Sequence, residues 1–203
     1  MIILVAPGSY NPMSVGHLRM FHKAMDIPNV VGCVASINKK HDKYDNVTLA
    51  KDATKDLPWL EVFDWEATPP FNLGTTESVL DYYERMFNTM GKYPTLEGRT
   101  YFGGCDLTNV SVKLLCGSDY LREIIELEGR TEFKRLLRRG IALMERLDDN
   151  INFILQDYYL EAYIDSVIRL EDPIFKYVEQ TSMRNEKENT CLLPCLPKHY
   201  EYV

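Results

Sequence analysis

Residues 2–24 read IILVAPGSYNPMSVGHLRMFHKA. Ile2 to Ala6 is a short apolar run with β-branched residues, as a buried strand would have. Pro7 and Gly8 break it, and Ser9-Tyr10-Asn11-Pro12 is a cluster of turn formers. From Gly16 the period changes, so that Leu18, Phe21, Ala24 and Met25 share one helical face. Strand, glycine turn and helix in that order place unpaired backbone N–H groups at a helix N-terminus, a ready site for an anion such as phosphate. Gly8 lets a ligand approach the backbone closely. His17, in the first helical turn, can reach the same anion. Taken alone, the stretch also reads as a plain βα turn carrying a surface histidine.

Outward from there, strands and helices keep alternating. Val30 to Ile37 reads as a second strand. Asn38 to Asp45 is a polar loop with Lys39, Lys40 and Lys43, either simply solvated or a clamp for phosphate at the carboxyl end of a strand. Val47 to Asp56 reads as a helix, and Trp59 to Glu66 as a strand running into the proline-bearing loop 67–74. Thr75 to Met90 reads as a helix with Val79, Leu80, Tyr83, Met86 and Phe87 on one side. Thr75 or Thr76 can cap it. The stretch 91–109 lacks a period and reads as a connector or a hairpin.

Val110 to Leu115 is a strand that leads into Cys116-Gly117-Ser118-Asp119, a second glycine turn at a helix start. Asp119 can cap that helix, accept from hydroxyls of a ligand, or both. Tyr120–Leu127 and Thr131–Arg139 read as helices, and Gly140–Glu145 as a strand ending at Arg146. Ile151–Leu155 reads as the last strand. Tyr158 to Tyr177 is aromatic and acidic; the reading is a helical insertion near 158–178, a surface for a homo-oligomer or a lid. The alternation predicts an α/β fold, a Rossmann-like doubly wound parallel sheet, with residues 1–203 forming a single domain.

Composition narrows the class. The 203 residues carry a net charge of -7, which argues against a general nucleic-acid binder. No apolar run approaches the roughly 18–20 residues of a membrane span, and no basic region precedes the first apolar run as in a signal peptide. The five cysteines (Cys33, Cys105, Cys116, Cys191, Cys195) form no C-x-x-C pair. They read as reduced thiols of a cytoplasmic or nuclear protein. The first strand begins at residue 2, which fits a chain with no localisation tail.

Gly8-Ser9-Tyr10-Asn11-Pro12 and Ser14-Val15-Gly16-His17 resemble the G-[ST]-[FY]-N-P and [HT]-x-x-H signatures of the nucleotidylyltransferase superfamily. Three further segments match in order. They are Trp59-Leu60-Glu61-Val62-Phe63-Asp64-Trp65-Glu66, Leu114-Leu115-Cys116-Gly117-Ser118-Asp119, and the segment from Leu192-Leu193-Pro194 to Tyr200. Together they resemble the eukaryotic-type nicotinamide/nicotinate mononucleotide adenylyltransferases. Gln180-Thr181-Ser182-Met183-Arg184 lies where the superfamily has I-S-S-T-x-x-R, keeping its Thr and Arg but not the two preceding serines.

What this resemblance implies is adenylyl transfer from ATP to a pyridine mononucleotide, giving NAD or its acid form and pyrophosphate. Mg²⁺ would bridge substrate phosphates, with no protein metal ligand. His17 and Arg184 would be catalytic. The turn residues Gly8, Ser9, Tyr10 and Ser14 would hold ATP, with Thr181 beside Arg184 at the triphosphate. Gly117, Asp119 and Arg146 would face the adenosine side. Ser9, Tyr10, Lys40 and Lys43 would hold the mononucleotide, with Phe71 and Thr76 at the pyridine. Phe71 also reads as a plug for the core edge, and Arg146 as a surface residue. Its partners would be small nucleotides (ATP, either mononucleotide, NAD), with no nucleic acid and no membrane.

Three departures stand out. Ser14 replaces the family's Thr or His. Glu126-Leu127-Glu128-Gly129 carries no aromatic where the family has a tryptophan against the pyridine. The C-terminal helix is short. They motivate an alternative reading as a catalytically reduced nucleotide-binding protein of the same fold. Another small-substrate nucleotidylyltransferase, such as a pantetheine-phosphate or cytidylyl transferase, is a further alternative, but those lack the Trp59–Glu66 and Leu114–Asp119 segments.

Overall fold

Alternating burial along the strands decides how the sheet is covered. In the first strand, Ile3 and Val5 pack with one apolar cluster and Leu4 and Ala6 with the other, all at most 2% exposed. A strand apolar on both faces needs helices on both sides. A computed structural model describes residues 1–39, 45–68, 74–92, 100–145 and 150–172.

Six parallel strands form one sheet: β1 (Ile2–Gly8), β2 (Val30–Ile37), β3 (Leu60–Phe63), β4 (Ser111–Gly117), β5 (Ile141–Met144) and β6 (Val167–Leu170). Their order is β3-β2-β1-β4-β5-β6. The helices α1 (Val15–Ala24) and α2 (Asn46–Thr54) cover one face through Phe21, Ala24, Val47 and Ala50. The other face takes α3 (Thr76–Lys92), α4 (Ser118–Arg139) and α5 (Ile151–Asp157), through residues such as Leu80, Tyr83, Leu121, Phe133 and Ile154. This is the doubly wound α/β sheet that the alternation of elements predicts. Among the described residues no helix is long and apolar enough to cross a membrane.

Strand order reverses between β1 and β4, the place where such sheets open a crevice for a ligand. Here the opening has a local cause. β1 and β4 run to Gly8 and Gly117, yet their pairing ends at Val5–Leu114. The Gly8 carbonyl accepts from Asn38 N–H on the β2 side, so alternation turns Pro7 toward β4. Proline has no N–H to give there. β1 meanwhile stays paired with β2 to Gly8–Ile37, and β4 with β5 to Gly117–Met144.

Two expectations are corrected. Ile151–Leu155 is not a strand. Asn150 accepts from Asn152 N–H at 2.8 Å and caps a helix, and Ile151, Ile154 and Leu155 then share its buried face. Nor do residues 158–172 form an inserted α-helix. They make a 3-10 turn, Glu161–Ser166, and then the edge strand β6. Only Val167 and Leu170 of that strand are buried, so no clean period announces it. As the sequence predicts, 118–139 holds two helical segments: α4 is broken at Gly129, whose φ of 85° and ψ of 167° are not helical and suit glycine far better than other residues.

Candidate active site

The turn after β1 is built by three side chains. Ser14 caps α1: its hydroxyl accepts from His17 N–H at 3.3 Å. In return, Ser14 N–H donates to His17 Nδ1 at 2.9 Å. This reciprocal arrangement is a capping box with histidine in the place usually held by Glu or Gln. It also fixes the imidazole. An N–H aimed at Nδ1 makes that nitrogen an acceptor, so the proton of the neutral ring sits on Nε2. The half-buried ring thus presents a donor at the positive end of a helix.

Tyr10 plays a different part. Its ring is 4% exposed and stacks on Phe21 at 6.3 Å, with His17 edge-on at 5.0 Å. Its hydroxyl donates to the Ala6 carbonyl at 2.6 Å, and burial pushes its pKa well above the ordinary range. These contacts hold a left-handed backbone, φ 43°, at a non-glycine residue. Its side chain therefore packs the turn, and what Tyr10 offers a ligand is main chain. Ser9 is exposed, and its carbonyl accepts from Asn46 Nδ2 at 2.6 Å. Asn46 also donates to the Lys39 carbonyl at 2.9 Å. One buried amide thereby ties the loop after β1 to the loop after β2. Nothing in the sequence marks Asn46 beyond its place at a helix start.

At the facing strand end, Gly117 has no Cβ, and one there would lie 2.5 Å from Asp119 Oδ1. The carboxylate folds back over the glycine. Gly117 itself is the cap position of α4 and Asp119 is the second helical residue, exposed, where a negative charge suits the helix dipole. Asp119 is not the cap.

A cavity of about 390 Å³ opens at the carboxyl ends of β1, β2 and β3, between the first turns of α3 and α4. Pro7, Asn38, Trp65, Glu66, Thr76, Tyr120 and Glu128 line it. Thr76, the first residue of α3, is 4% exposed. Its N–H donates to the Glu128 carboxylate at 3.0 and 2.9 Å, and its hydroxyl donates to Glu128 Oε1 at 2.6 Å. Thr75 gives α3 a local cap as well, accepting from Ser78 N–H at 3.3 Å. Glu66 accepts a hydrogen bond from the buried Ser36 hydroxyl, which lies 2.7 Å from Tyr83 Oη. Burial raises the Glu66 pKa to about 7, against a lowering by the Ser36 bond. Burial also raises Tyr120, while its hydrogen bond with Thr76 draws it back.

Gly8, His17, Ser14, Gly117 and Asp119 thus gather at the carboxyl ends of β1 and β4, and Thr76 stands in the adjoining cavity. Lys40, Lys43, Phe71, Arg146, Thr181 and Arg184 lie outside the described residues. Reasoning from sequence missed Glu66 and Glu128 as site residues. Glu66 was within reach as the last residue of the Trp59–Glu66 segment. Glu128 pairs with a residue 52 positions away and had no local signal.

No family model matches the chain. It is 25% identical over 201 residues to the nicotinamide/nicotinic acid mononucleotide adenylyltransferase of Schizosaccharomyces pombe, covering 90% of this chain and 53% of that protein. It is 27% identical over 154 residues to nicotinamide/nicotinic acid mononucleotide adenylyltransferase 1 of Bos taurus, covering 59% and 55%. The chain spans about half the length of these curated relatives. Among solved structures, the Plasmodium falciparum nicotinic acid mononucleotide adenylyltransferase complexed with NaAD superposes with a TM-score of 0.57 at 13% identity, over 91% of this chain and 82% of that one. The fold is therefore shared even where few residues are. In sequence the chain is thus similar, at 25–27% identity, to nicotinamide/nicotinic acid mononucleotide adenylyltransferases.

Proposed function

We propose that this protein joins the adenylyl group of ATP to a pyridine mononucleotide, giving a dinucleotide and pyrophosphate. The observation that carries the reading is the His17 imidazole, fixed by Ser14 as an Nε2–H donor at the α1 N-terminus beside the parted ends of β1 and β4. A mononucleotide phosphate oxygen attacks the α-phosphorus, and pyrophosphate departs. The attacking oxygen is already anionic, so the chain has no proton to remove. Its work is positioning and neutralising charge.

His17 donates toward the α-phosphate, and the α1 N-terminus adds its backbone dipole. Gly117 lets the adenosine approach β4, and Asp119 accepts from its ribose. Thr181 and Arg184 hold the outer phosphates; Lys40 and Lys43 hold the mononucleotide phosphate. Phe71 and Thr76 meet the pyridine, and Arg146 contacts the nucleotide. Mg²⁺ arriving with ATP would supply further positive charge at the phosphates.

The test is direct. The protein is incubated with ATP, Mg²⁺ and each pyridine mononucleotide, and dinucleotide and pyrophosphate are quantified. Stoichiometric appearance of both supports the reading. No dinucleotide from either mononucleotide overturns it.

A further inference from the structure

Two carboxylates, Glu66 and Glu128, line the cavity between α3 and α4, and no lysine or arginine stands among its described lining residues. Trp65 and Tyr120 are among its lining residues. Flat aromatic faces with carboxylates nearby suit a flat ring that is neutral or positively charged, as a pyridinium is. They oppose a ring that carries its own carboxylate.

The first turn of α3 sharpens this. An open helix N-terminus attracts an anion through its free N–H groups and dipole. Here the Thr76 N–H and hydroxyl are both directed at the Glu128 carboxylate, so the protein has already placed an anion of its own there. A second carboxylate brought to that spot meets a like charge and finds these Thr76 donors engaged. A carboxamide brings no charge, and its NH₂ can donate to Glu128.

We infer that Glu128, by occupying the α3 N-terminus inside an acidic, aromatic cavity, makes this protein select pyridine mononucleotides bearing the amide over those bearing the acid. The inference rests on the adenylyl-transfer reading, with the pyridine seated in this cavity. Glu128 is a specificity-determining residue in it, and the reacting phosphates lie elsewhere. Gly129, just after it, turns the chain and ends the first segment of α4 at this residue.

The experiment compares kcat/KM for nicotinamide mononucleotide and nicotinate mononucleotide at pH 8, in the full chain and in Glu128→Gln. One like charge within a few ångströms is worth roughly tenfold or more. The expected result is an amide-over-acid ratio of at least about ten, falling by about tenfold in Glu128→Gln through improved use of the acid. A ratio near one in the unaltered chain, or a ratio the substitution leaves unchanged, overturns the inference.

Binding of each mononucleotide is measured in parallel through quenching of tryptophan fluorescence, since Trp65 lines the cavity. Should neither mononucleotide yield product, the function proposed above fails, while the binding ratio still decides the role of Glu128. Gln keeps the shape and one acceptor for Thr76, and circular dichroism verifies that the variant is folded.

Discussion

Two helices point their N-termini at this site, and they are finished in opposite ways. α1 takes its cap from within: Ser14 and His17 exchange hydrogen bonds across one turn, and neither side chain is an acid. α3 takes a local cap from Thr75 and then a carboxylate from Glu128, a residue 52 positions from Thr76. The first end keeps its positive field for a visitor. The second has that field met by the protein itself. Identical backbone chemistry thus yields one end suited to phosphate and one unsuited to anions, and the cap makes the difference.

The sharpest way to break this contrast is at His17. His17→Ala should lower turnover roughly 100–1000-fold, as expected for a lost donor at a charged transition state. Stability should fall only by about 1 kcal/mol, the ordinary worth of a cap contact. Steady-state rates beside a urea melt check both, and near-normal turnover would remove α1 as the phosphate end.

The next effect concerns the acidic cavity. Glu66 is raised from 4.5 to about 7, so the folded protein holds its proton more tightly than the unfolded chain. The resulting stability is complete below about pH 4.5 and is lost as pH climbs through about 7, by up to about 3 kcal/mol. Glu66→Gln should abolish that part of the slope, read as urea midpoints at pH 5 and pH 8. An unchanged slope would show that Glu66 is better solvated than its surroundings suggest.

Smaller still is Thr76→Val, which keeps the N–H but removes the hydroxyl donated to Glu128. A hydrogen bond to a charged group is worth about 2 kcal/mol. Ser14→Ala should cost about 1 kcal/mol, the usual worth of an N-cap side chain. Chemical denaturation of the pair measures the asymmetry between the ends. A larger loss at Ser14 than at Thr76 would reverse it.

The sheet was legible because its strands are short apolar runs bounded by Gly, Pro and Asn, and its helices hold a clear period, as at Val79, Leu80, Tyr83 and Phe87. Legibility failed where both signals thinned. Ile151–Leu155 is five residues of apolar and β-branched character; only the i, i+3, i+4 spacing of Ile151, Ile154 and Leu155, with Asn150 before them, speaks for a helix. Val167–Leu170 lies at the sheet edge, with Ile168 36% exposed and Arg169 facing Asn152. For the site, the βα turns were readable because they are local. The Thr76–Glu128 pair was not. A sequence shows that an aromatic is missing near Glu128, but not that an acid has come to serve a distant helix. The Arg19–Asp172 bridge, at 2.8 Å with Asp172 fully buried, was hidden for the same reason: its partners stand 153 residues apart.

The parting of β1 from β4 after Val5 and Leu114 also bears on how this protein can change over generations. The opening lies where strand order reverses and Pro7 faces β4, while the cavity beside it is lined by connector residues such as Trp65, Glu66 and Thr75. Lineages that lengthen or trim those connectors would reshape the cavity while the opening between β1 and β4 stays where it is. Exchange of Pro7 would return an N–H to the side of β1 that faces β4, and with it one more possible ladder bond between the two strands.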